Sequence, residues 1–446
     1  MAKDWDLIIT GGAVYTPSGL VEADVAVADG RIADIGKLDA ARADEVLDAK
    51  GLTVLPGVID TQVHFREPGL EHKEDLESGT RAAVMGGVTA IFEMPNTSPP
   101  TTDAAAINDK LTRAEGRAWC DHAFFAGAAA ENAEKLGELE RLPGVCGVKI
   151  FMGSSTGSLL VHEDNDLRRI LKHVRRRVAV HSEDEVRLRE RFDMIREGGK
   201  VSQHPEWRDV ETALRSTKRL LRLAREAGKR IHVLHVTTAE EVPLLAAAKD
   251  IATMEVTPQH VTLAAPYCYE EIGSFAQMNP PIREARHREA LWEAVRLGIV
   301  DVVGSDHAPH TREEKQAPYP RSPSGMPGVQ TLLPLLLDHL NAGKLTLERL
   351  VDLTSAGAQR IYNIAGKGRI AVGYDADLTI VDMKRRETIT NDWVRSRAGW
   401  SPYDGVTVTG WPVGTIVRGN TVMWQGELVT PSKGQPMRFL EALPQG

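Results

Sequence analysis

Five apolar segments of this 446-residue chain end in, or carry, a side chain that could bind a metal ion or titrate. These residues are His64, Lys149, His181, His235 and Asp306. Imidazole nitrogens and carboxylate oxygens suit Zn²⁺ and similar ions, whereas a lysine ammonium has no lone pair and could join only when neutral or covalently modified. Taken singly, each residue is most simply a structural or surface group. Five of them in corresponding positions of different segments predict a metal site.

Asp306, in "GSDHAPH", could both ligate a metal and accept a proton from a bound water. A bound metal lowers the pKa of water towards neutrality and polarises a carbonyl group. The predicted reaction class is therefore metal-assisted hydrolysis of an amide-type bond.

Residues 57–69 read "GVIDTQVHFREPG", and they hold the first of these histidines. Side chains alternate faces along a strand, so Asp60, Gln62, His64 and Arg66 are expected on the same face. A metal site here would use two imidazoles, but the chain offers Gln62 and His64. An amide oxygen is a weaker donor to zinc than imidazole, so Gln62 is expected to be a weak ligand or none.

The segments that must position these groups are eight apolar runs, which we interpret as strands: 54–64, 88–94, 122–127, 146–151, 177–181, 231–236, 252–257 and 300–305. Amphipathic stretches with helical spacing, such as 208–228, lie between them. Eight alternating strands and helices predict a (β/α)₈ barrel, whose strand ends carry the functional side chains. A doubly wound open sheet is the alternative, but no G-x-G-x-x-G turn follows the first strand.

Both ends of the chain are rich in short strand-like segments with glycine turns, such as "ADVAVADGRIADI" with a turn at Asp29-Gly30, and "GRIAVGYDADLTIVDM" near the C-terminus. This texture predicts one small β domain assembled from both termini. We place it at residues 1–55 plus 366–446, with the catalytic barrel at 56–365.

Composition narrows the class of protein. A net charge of −8 without a basic block argues against nucleic acid, and no apolar run is long enough for a membrane span. The first residues lack the pattern of a secretion signal. Cys120, Cys146 and Cys268 are too widely spaced for a disulfide framework or a thiolate zinc site. We expect a cytoplasmic enzyme or binding protein, and the sequence leaves open whether it forms a homo-oligomer.

With these residues in view, the chain resembles the amidohydrolase superfamily, and within it the dihydroorotase and cyclic-amidase branch that includes hydantoinases and allantoinases. The resemblance spans nearly the whole length, and its ordered motifs are "LIITGG", "GRIADIG", "LPGVIDTQVHFREPG", "EMPNT", "GVKIFM", "AVHSED", "LHVTT", "QMNPPIR", "SDHAPH" and "GRIAVGYDADLTIVD". It implies a TIM barrel with a small β-sandwich built from both termini. It also implies a centre of two metals, usually zinc, bridged by hydroxide and a carboxylated lysine.

The resemblance assigns roles to individual residues. Lys149 matches the lysine that is carboxylated, which would make it an anionic ligand between two metals. His181 and His235 match the ligands of one metal, often called β, while His64 and Asp306 match those of the other, α. Asp306 also matches the general base. His232 matches no ligand, and we interpret it as structural.

Polar residues beyond the metals indicate the substrate. Arg66, Asn96 and His310 resemble the residues that bind a substrate carboxylate in dihydroorotase-like members, and Asn279 resembles one that contacts the ring. The alternative for Arg66 is a surface salt bridge to Glu67 or Glu71. The pattern favours a small cyclic amide with a free carboxylate, such as dihydroorotate, or its product N-carbamoyl-aspartate.

Three features depart from the dihydroorotase pattern. Gln62 replaces the first histidine of an H-x-H pair, so the α metal is expected to bind weakly or be absent. Gln259 stands where a histidine is common, and residues 322–334 have a hydantoinase-like texture. Two other hypotheses therefore accompany dihydroorotase activity. One is activity on another cyclic ureide, and the other is a non-catalytic homologue that partners a transcarbamoylase.

Overall fold

The computed structural model describes residues 4–155, 158–429 and 434–442. Its strands are β1 (Trp5–Thr16), β2 (Gly19–Ala28), β3 (Arg31–Gly36), β4 (Ala43–Asp48), β5 (Thr53–Pro56), β6 (Val58–Val63), β7 (Val88–Glu93), β8 (Asp121–Gly127), β9 (Val145–Phe151), β10 (Val178–His181), β11 (Ile231–Val233), β12 (Ala252–Val256), β13 (Val302–Val303), β14 (Leu378–Thr388), β15 (Thr407–Val417), β16 (Asn420–Trp424) and β17 (Glu427–Leu428).

The α-helices are α1 (Leu76–Met85), α2 (Ala104–Ala114), α3 (Leu136–Leu139), α4 (Asp164–His173), α5 (Glu185–Arg191), α6 (His204–Trp207), α7 (Val210–Ala227), α8 (Glu241–Ala246), α9 (Pro258–Thr262), α10 (Tyr267–Ile272), α11 (Ala285–Arg296), α12 (Arg312–Lys315), α13 (Leu332–Asn341), α14 (Leu347–Val351) and α15 (Gly357–Tyr362). A π-helical turn, Asp352–Ala356, joins α14 to α15.

Eight parallel strands, β6 to β13, pair in chain order. A parallel bridge from Val63 to His307 brings the two ends of this sheet together, and the amide of His64 donates to the carbonyl of His307 over 2.7 Å. Strand order without a reversal is that of a barrel rather than of a doubly wound sheet. The predicted (β/α)₈ barrel is confirmed.

The predicted strand 54–64 is wrong as a single element. Residues 53–56 belong to β5 of the outer sheet, where Val54 pairs with Ile380, while 58–63 form barrel strand β6. Gly57 separates the two strands. A β-carbon there would lie 2.3 Å from the Oγ1 atom of Thr89, so the chain can pass from one sheet to the other only with glycine at this position.

The strands predicted at 231–236 and 300–305 are shorter in the structure, where β11 and β13 span three and two residues. Each strand ends before the predicted site residue that follows it, His235 after β11 and Asp306 after β13. His235 and Asp306 have φ angles of 36° and 46°, in the left-handed region that is uncommon for residues other than glycine. Residues with such uncommon backbone angles often occur at functional sites.

Strands from both termini form a second sheet of nine strands, in the order β17-β16-β15-β14-β5-β1-β2-β3, with β4 beside β1. Its hydrophobic core joins residues from both ends of the chain, including Leu7, Val25, Leu378 and Ile416. The predicted turn at Asp29-Gly30, with φ angles of 49° and 71°, connects β2 to β3. The β-sandwich from both termini is confirmed, whereas the domain boundaries stay predictions.

Two smaller expectations have different outcomes. The stretch 208–228 was predicted to be helical, and α7 occupies it with Asp209 accepting from the amide of Thr212 at its start and left-handed Gly228 at its end. The C-terminal segment "GRIAVGYDADLTIVDM" becomes a strand only from Leu378.

Among the described residues, no helix combines the length and apolarity that a bilayer crossing requires.

Candidate active site

The polar side chains predicted from the strand ends meet at one end of the barrel. They surround a cavity with about 340 Å³ of empty space. The predicted residues that line it are Gln62, His64, Arg66, Asn96, Lys149, His181, His235, Asn279 and Asp306, joined by Phe151, Ser155, Ala308, Ser324 and Gly325. A roomier surface groove beside Tyr15 and Glu348 contains none of the predicted site residues. The chemistry of the lining, not the volume, identifies the site.

Asp306 joins two residues of the first barrel strand. Its Oδ1 atom accepts from Nε2 of Gln62 over 3.0 Å and lies 3.2 Å from Nε2 of His64. His64 donates from Nδ1 to the Oδ1 atom of Asn96 over 2.7 Å, which leaves a lone pair on its Nε2. Burial lowers the pKa of His64 and so favours this neutral form. The Nε2 lone pair and the Asp306 oxygen therefore face the same point.

A second pair of donor atoms meets at His181 and His235. His181 donates from Nε2 to the carboxylate of Glu183 over 2.8 Å, so its Nδ1 carries a lone pair. That Nδ1 lies 3.1 Å from Nε2 of His235, whose own Nδ1 is buried with no hydrogen-bond partner among the described residues. Burial, together with neighbouring cationic and imidazole groups, lowers the pKa of His235 well below its usual value. Both rings are thus neutral imidazoles, the form that binds metal.

Lys149 lies on β9 and lines the same cavity as these two groups of ligands. It is fully buried, and its Nζ atom has no hydrogen-bond partner among the described residues. Burial lowers its pKa to about 7, although Asp306 and Glu255 act in the opposite direction. A buried ammonium without a partner is costly, whereas a neutral amine is a nucleophile that can be modified.

These atoms fit a bound cation. The lone pair on Nε2 of His64 and the carboxylate oxygen of Asp306 face each other at 3.2 Å, and such lone pairs repel unless a proton or a metal ion lies between them. The neutral rings of His181 and His235 line the same cavity. The residues that could hold a metal are His64, Lys149 once modified, His181, His235 and Asp306. The Oε1 atom of Gln62 is also buried without a hydrogen-bond partner, so the amide could turn towards a cation.

Arg66 reaches the cavity through a turn rather than through strand alternation. It follows the end of β6 with φ of 66°, and its side chain is 1% exposed. Its Nε atom donates to the carbonyl of Pro309 over 3.1 Å. No carboxylate among residues 4–155, 158–429 and 434–442 lies within 4.0 Å of its guanidinium, and Glu67 pairs instead with Arg117. The alternative of a surface salt bridge to Glu67 or Glu71 is therefore wrong.

The other predicted substrate residues lie in or next to the cavity. His310 contacts Arg66, with Nη2 of Arg66 3.3 Å from its Nε2, and is not itself part of the cavity lining. Asn96 and Asn279 line the cavity, where Asn96 is bonded to His64 and Oδ1 of Asn279 accepts from Nε2 of His204 over 2.9 Å. The cavity thus has a wall of ligands for a cation and, beside it, a buried cationic group suited to an anion.

Comparison with known proteins identifies the family of the chain. The model of the Amidohydrolase family matches residues 53–422. The chain belongs to the amidohydrolase family. A dihydroorotase from Methanosarcina mazei is 35% identical, with 98% of each chain covered, and an allantoinase from Escherichia coli is 34% identical over 97% of this chain and 98% of its own. An L-hydantoinase (dihydropyrimidinase) from Arthrobacter aurescens superposes with a TM-score of 0.92 at 31% identity, covering 97% and 99%. Because these sequence identities are similar, they do not indicate which of the three substrates this chain uses. The substrate must be inferred from the residues of the site.

Sequence reasoning missed several polar residues of this amidohydrolase. Glu183 bonds His181 and also accepts from Arg208, and these two neighbours outweigh burial and hold the pKa of Glu183 at about 2. It lies in the quoted motif "AVHSED", but nothing in that motif shows its partner. Lys73, on the segment between β6 and α1, contacts His310. Such contacts between distant segments leave no local signal.

Two buried carboxyls lie beneath the cavity. Asp60 accepts from the amides of Gln62 and Ser305, and burial raises its pKa to about 7. Glu255 accepts from the hydroxyl of Thr61 over 2.7 Å, and burial raises its pKa to about 8. With these raised pKa values, both carboxyl groups can bind a proton near neutral pH. Neither of them lines the cavity.

Two residues that the sequence set apart, Gln259 and His232, lie outside the cavity wall. Gln259 donates from Nε2 to the carbonyl of Ser305 over 2.8 Å, next to Asp306. His232 is fully buried, and its Nδ1 lies 2.8 Å from the hydroxyl of Thr253.

Another acidic group, Asp121, Asp375 and Asp377, has carboxylate oxygens close enough to hold a metal. The Nζ atom of Lys367 lies among these oxygens, 2.6 Å from Asp121 and in contact with Asp377, and Arg418 pairs with Asp121 over 2.8 Å. Cationic side chains already compensate this cluster, so we interpret it as a structural ion network that ties the outer sheet to the barrel.

Proposed function

We propose that this amidohydrolase is a dihydroorotase, which interconverts dihydroorotate and N-carbamoyl-L-aspartate. The observation that carries the proposal is Arg66, a buried guanidinium without a carboxylate partner among the described residues, beside the cluster of metal-ligating groups. A buried charge is costly unless it is paired, so the resting site is complete only when an anion binds. Dihydroorotate has a carboxylate next to its cyclic amide, whereas allantoin and unsubstituted hydantoin have none.

Binding of the substrate follows from the donors around Arg66. The planar fork of arginine matches a carboxylate with two parallel hydrogen bonds. Pro309 holds Nε, which directs the Nη groups towards the cavity. Asn96, in the cavity wall, and His310, beside Arg66, would complete the carboxylate subsite, and Asn279 would contact the ring. This arrangement presents the ring amide to Asp306.

Hydrolysis requires one proton to move from water to nitrogen. A water oxygen forms a bond to the ring carbonyl carbon, the C–N bond breaks, and the nitrogen leaves with a proton. Asp306 takes the proton from the attacking water on its carboxylate and returns it to the leaving nitrogen. Gln62 donates to Oδ1 of Asp306, which fixes the orientation of that carboxylate during both transfers.

We propose Zn²⁺ as the cofactor, with one tightly held ion and a weaker second position. Imidazole and carboxylate ligands suit zinc, and zinc when bound lowers the pKa of water and polarises the carbonyl. His181, His235 and Lys149 would hold the tight ion, and His64 and Asp306 the weaker one. A carboxylated Lys149 would supply the anionic oxygen that its amine lacks, and the lowered pKa of the amine favours reaction with CO₂.

The test is turnover by the purified, zinc-loaded chain on a set of cyclic amides. We expect hydrolysis of dihydroorotate at alkaline pH and cyclisation of N-carbamoyl-aspartate at acid pH. The value of kcat/KM for dihydroorotate should exceed that for dihydrouracil, the same ring without a carboxylate, by about 100-fold. The matched variant Asp306→Asn should lose about 10²–10⁴ in kcat while it retains its fold. Preference for allantoin or hydantoin, or no turnover of any compound, would contradict the proposal.

A second candidate is hydrolysis of another carboxylated cyclic ureide or hydantoin. It is favoured by the likeness to the Arthrobacter aurescens L-hydantoinase and by the hydantoinase-like sequence at 322–334. Ser324 and Gly325 from that segment line the cavity. A carboxylated hydantoin included in the same substrate set distinguishes the two candidates.

We also propose a cytoplasmic location. Cys120, Cys146 and Cys268 are all buried and unpaired, as expected for a protein in a reducing compartment. Whether the enzyme works as a homo-oligomer stays a prediction for hydrodynamic measurement.

A further inference from the structure

Lys73 is a largely buried amine that lies outside the cavity wall, next to His310. Its Nζ atom lies 3.1 Å from Nδ1 of His310 and 3.1 Å from Oε1 of Glu314, and its side chain is 12% exposed. Lys73 lies between β6 and α1, whereas His310 and Glu314 lie at α12 on the other side of the barrel closure. The contact therefore joins the two segments that carry Arg66 and Asp306.

The contacts of His310 determine its tautomer. An ammonium group has three hydrogens and no lone pair, so it can only donate to Nδ1. The Oε2 atom of Glu314 lies farther from Nδ1, at 3.6 Å, so the closer Lys73 contact assigns the lone pair to Nδ1 and the proton to Nε2. In agreement, Nε2 lies 3.0 Å from the carbonyl oxygen of Ser324, which can only accept. Burial lowers the pKa of His310 to about 3, which excludes a proton on both nitrogens near neutral pH.

This tautomer has a consequence for Arg66. Nη2 of Arg66 lies 3.3 Å from Nε2 of His310, and a protonated Nε2 cannot accept from it. Because the Nε2–H of His310 donates to the carbonyl of Ser324, the ring offers Arg66 no acceptor, and the hydrogens of Nη2 remain for an acceptor brought by a ligand. With the opposite tautomer, Nε2 would accept from Arg66 and compete with the substrate.

We propose that Lys73 is a positioning residue that holds His310 as the Nε2–H tautomer and so keeps the Nη groups of Arg66 available for the substrate carboxylate. The role in substrate binding rests on the proposed function, whereas the tautomer is a property of the resting enzyme. Lys73 thereby determines specificity for anionic substrates without contacting the reacting atoms.

A simple surface ion pair between Lys73 and Glu314 is the competing explanation. Glu314→Gln is the matched control, because it removes the charge of the pair and leaves the Lys73 amine beside His310. Glutamine can also replace glutamate in the capping box that Glu314 forms with Thr311, so α12 should keep its start. Lys73→Met removes the donor but keeps the length and bulk of the side chain. Lys73→Arg restores a cationic donor.

The experiment reads the ring nitrogens of His310 by ¹⁵N NMR in the zinc-loaded resting enzyme, with His310→Gln used to assign its signals. We expect a protonated Nε2 in the wild type, in Glu314→Gln and in Lys73→Arg, and a proton shifted wholly or partly to Nδ1 in Lys73→Met. The KM of Lys73→Met for dihydroorotate should rise about tenfold, the loss of roughly one hydrogen bond to a charged group, with kcat within about twofold. Its kinetics with dihydrouracil should not change.

Two results would overturn the proposal. One is a wild-type tautomer in Lys73→Met, and the other is a rise in KM that is equal for dihydrouracil and dihydroorotate. Absence of dihydroorotate turnover by the wild type would refute the proposed function instead, and the NMR result would still decide whether Lys73 sets the tautomer.

Discussion

Gln62 donates a hydrogen bond from Nε2 to the Oδ1 atom of Asp306 over 3.0 Å, in the position where an H-x-H pair would have its first imidazole. The amide therefore supports the carboxylate rather than competing with it for a cation. Gln62 is fully buried, and its other side-chain atom, Oε1, has no hydrogen-bond partner among the described residues, so the hydrogen bond to Asp306 is its one side-chain contact of this kind there. This role of Gln62 affects the number of metal ions that the site holds.

We predict that Gln62→His increases the metal content of the enzyme. The new imidazole would join His64 as a ligand, and the weaker position would fill, which raises the content from about one to about two ions per chain. Metal analysis after gel filtration in metal-free buffer measures this directly. Gln62→Leu is the control of similar size, because it removes the donor to Asp306 without adding a ligand. Equal metal content in the wild type and Gln62→His would refute the weak second position.

Formation of the modified Lys149 should depend on pH. Its folded-state pKa is lowered to about 7, so the amine is neutral above that pH and protonated below it, and only the neutral amine attacks CO₂. At a fixed concentration of dissolved CO₂, recovery of metal binding by metal-free enzyme should be about tenfold greater at pH 8 than at pH 6, the ratio of the neutral fractions. Metal uptake followed over time checks this, with Lys149→Arg as a variant that should show no recovery. A rate independent of pH would exclude the carboxylated form.

Arg66→Ala should raise the KM for dihydroorotate by about 100-fold or more, because it removes two charge-assisted hydrogen bonds to the carboxylate. Dihydrouracil has no carboxylate and serves as the internal control, with an unchanged KM. Arg66→Lys keeps the charge but not the planar fork, so we expect an intermediate value. An unchanged KM in Arg66→Ala would remove the argument for an anionic substrate.

Much of this site could be predicted because parallel strands bring their ends together. Lys149 and His181 lie at neighbouring ends of β9 and β10, so an apolar run that ends in a polar residue was sufficient to place them in one cavity. The barrel followed from the same alternation of strands and helices. Gln62 could be singled out from the sequence because it occupies the position where an H-x-H pair would have its first histidine.

Other features depend on contacts that the sequence does not encode locally. Lys73 and His310 are separated by 237 positions, and no periodic pattern relates them. Arg66 and His235 adopt left-handed backbone that neither residue prefers. Strand alternation correctly predicted that Arg66 lies near His64, but a turn after the strand, and not the strand itself, places it there. The division of 54–64 between two sheets depends on the close approach of Gly57 to Thr89, which only the packed structure reveals.

The ion network around Lys367 gives a prediction on stability. Lys367 is 2% exposed and is the cation closest to Asp121 and Asp377, so Lys367→Met would leave buried carboxylates without their main counter-charge. We expect a loss of about 3–5 kcal/mol in the free energy of unfolding, seen as a lower Tm by calorimetry. The exposed Lys384→Met should change it by no more than about 0.5 kcal/mol. Millimolar Ca²⁺ should stabilise Lys367→Met but not the wild type, because oxygen-only clusters bind calcium once the ammonium is gone. A Tm for Lys367→Met equal to that of the wild type would show that Arg418 alone compensates the cluster.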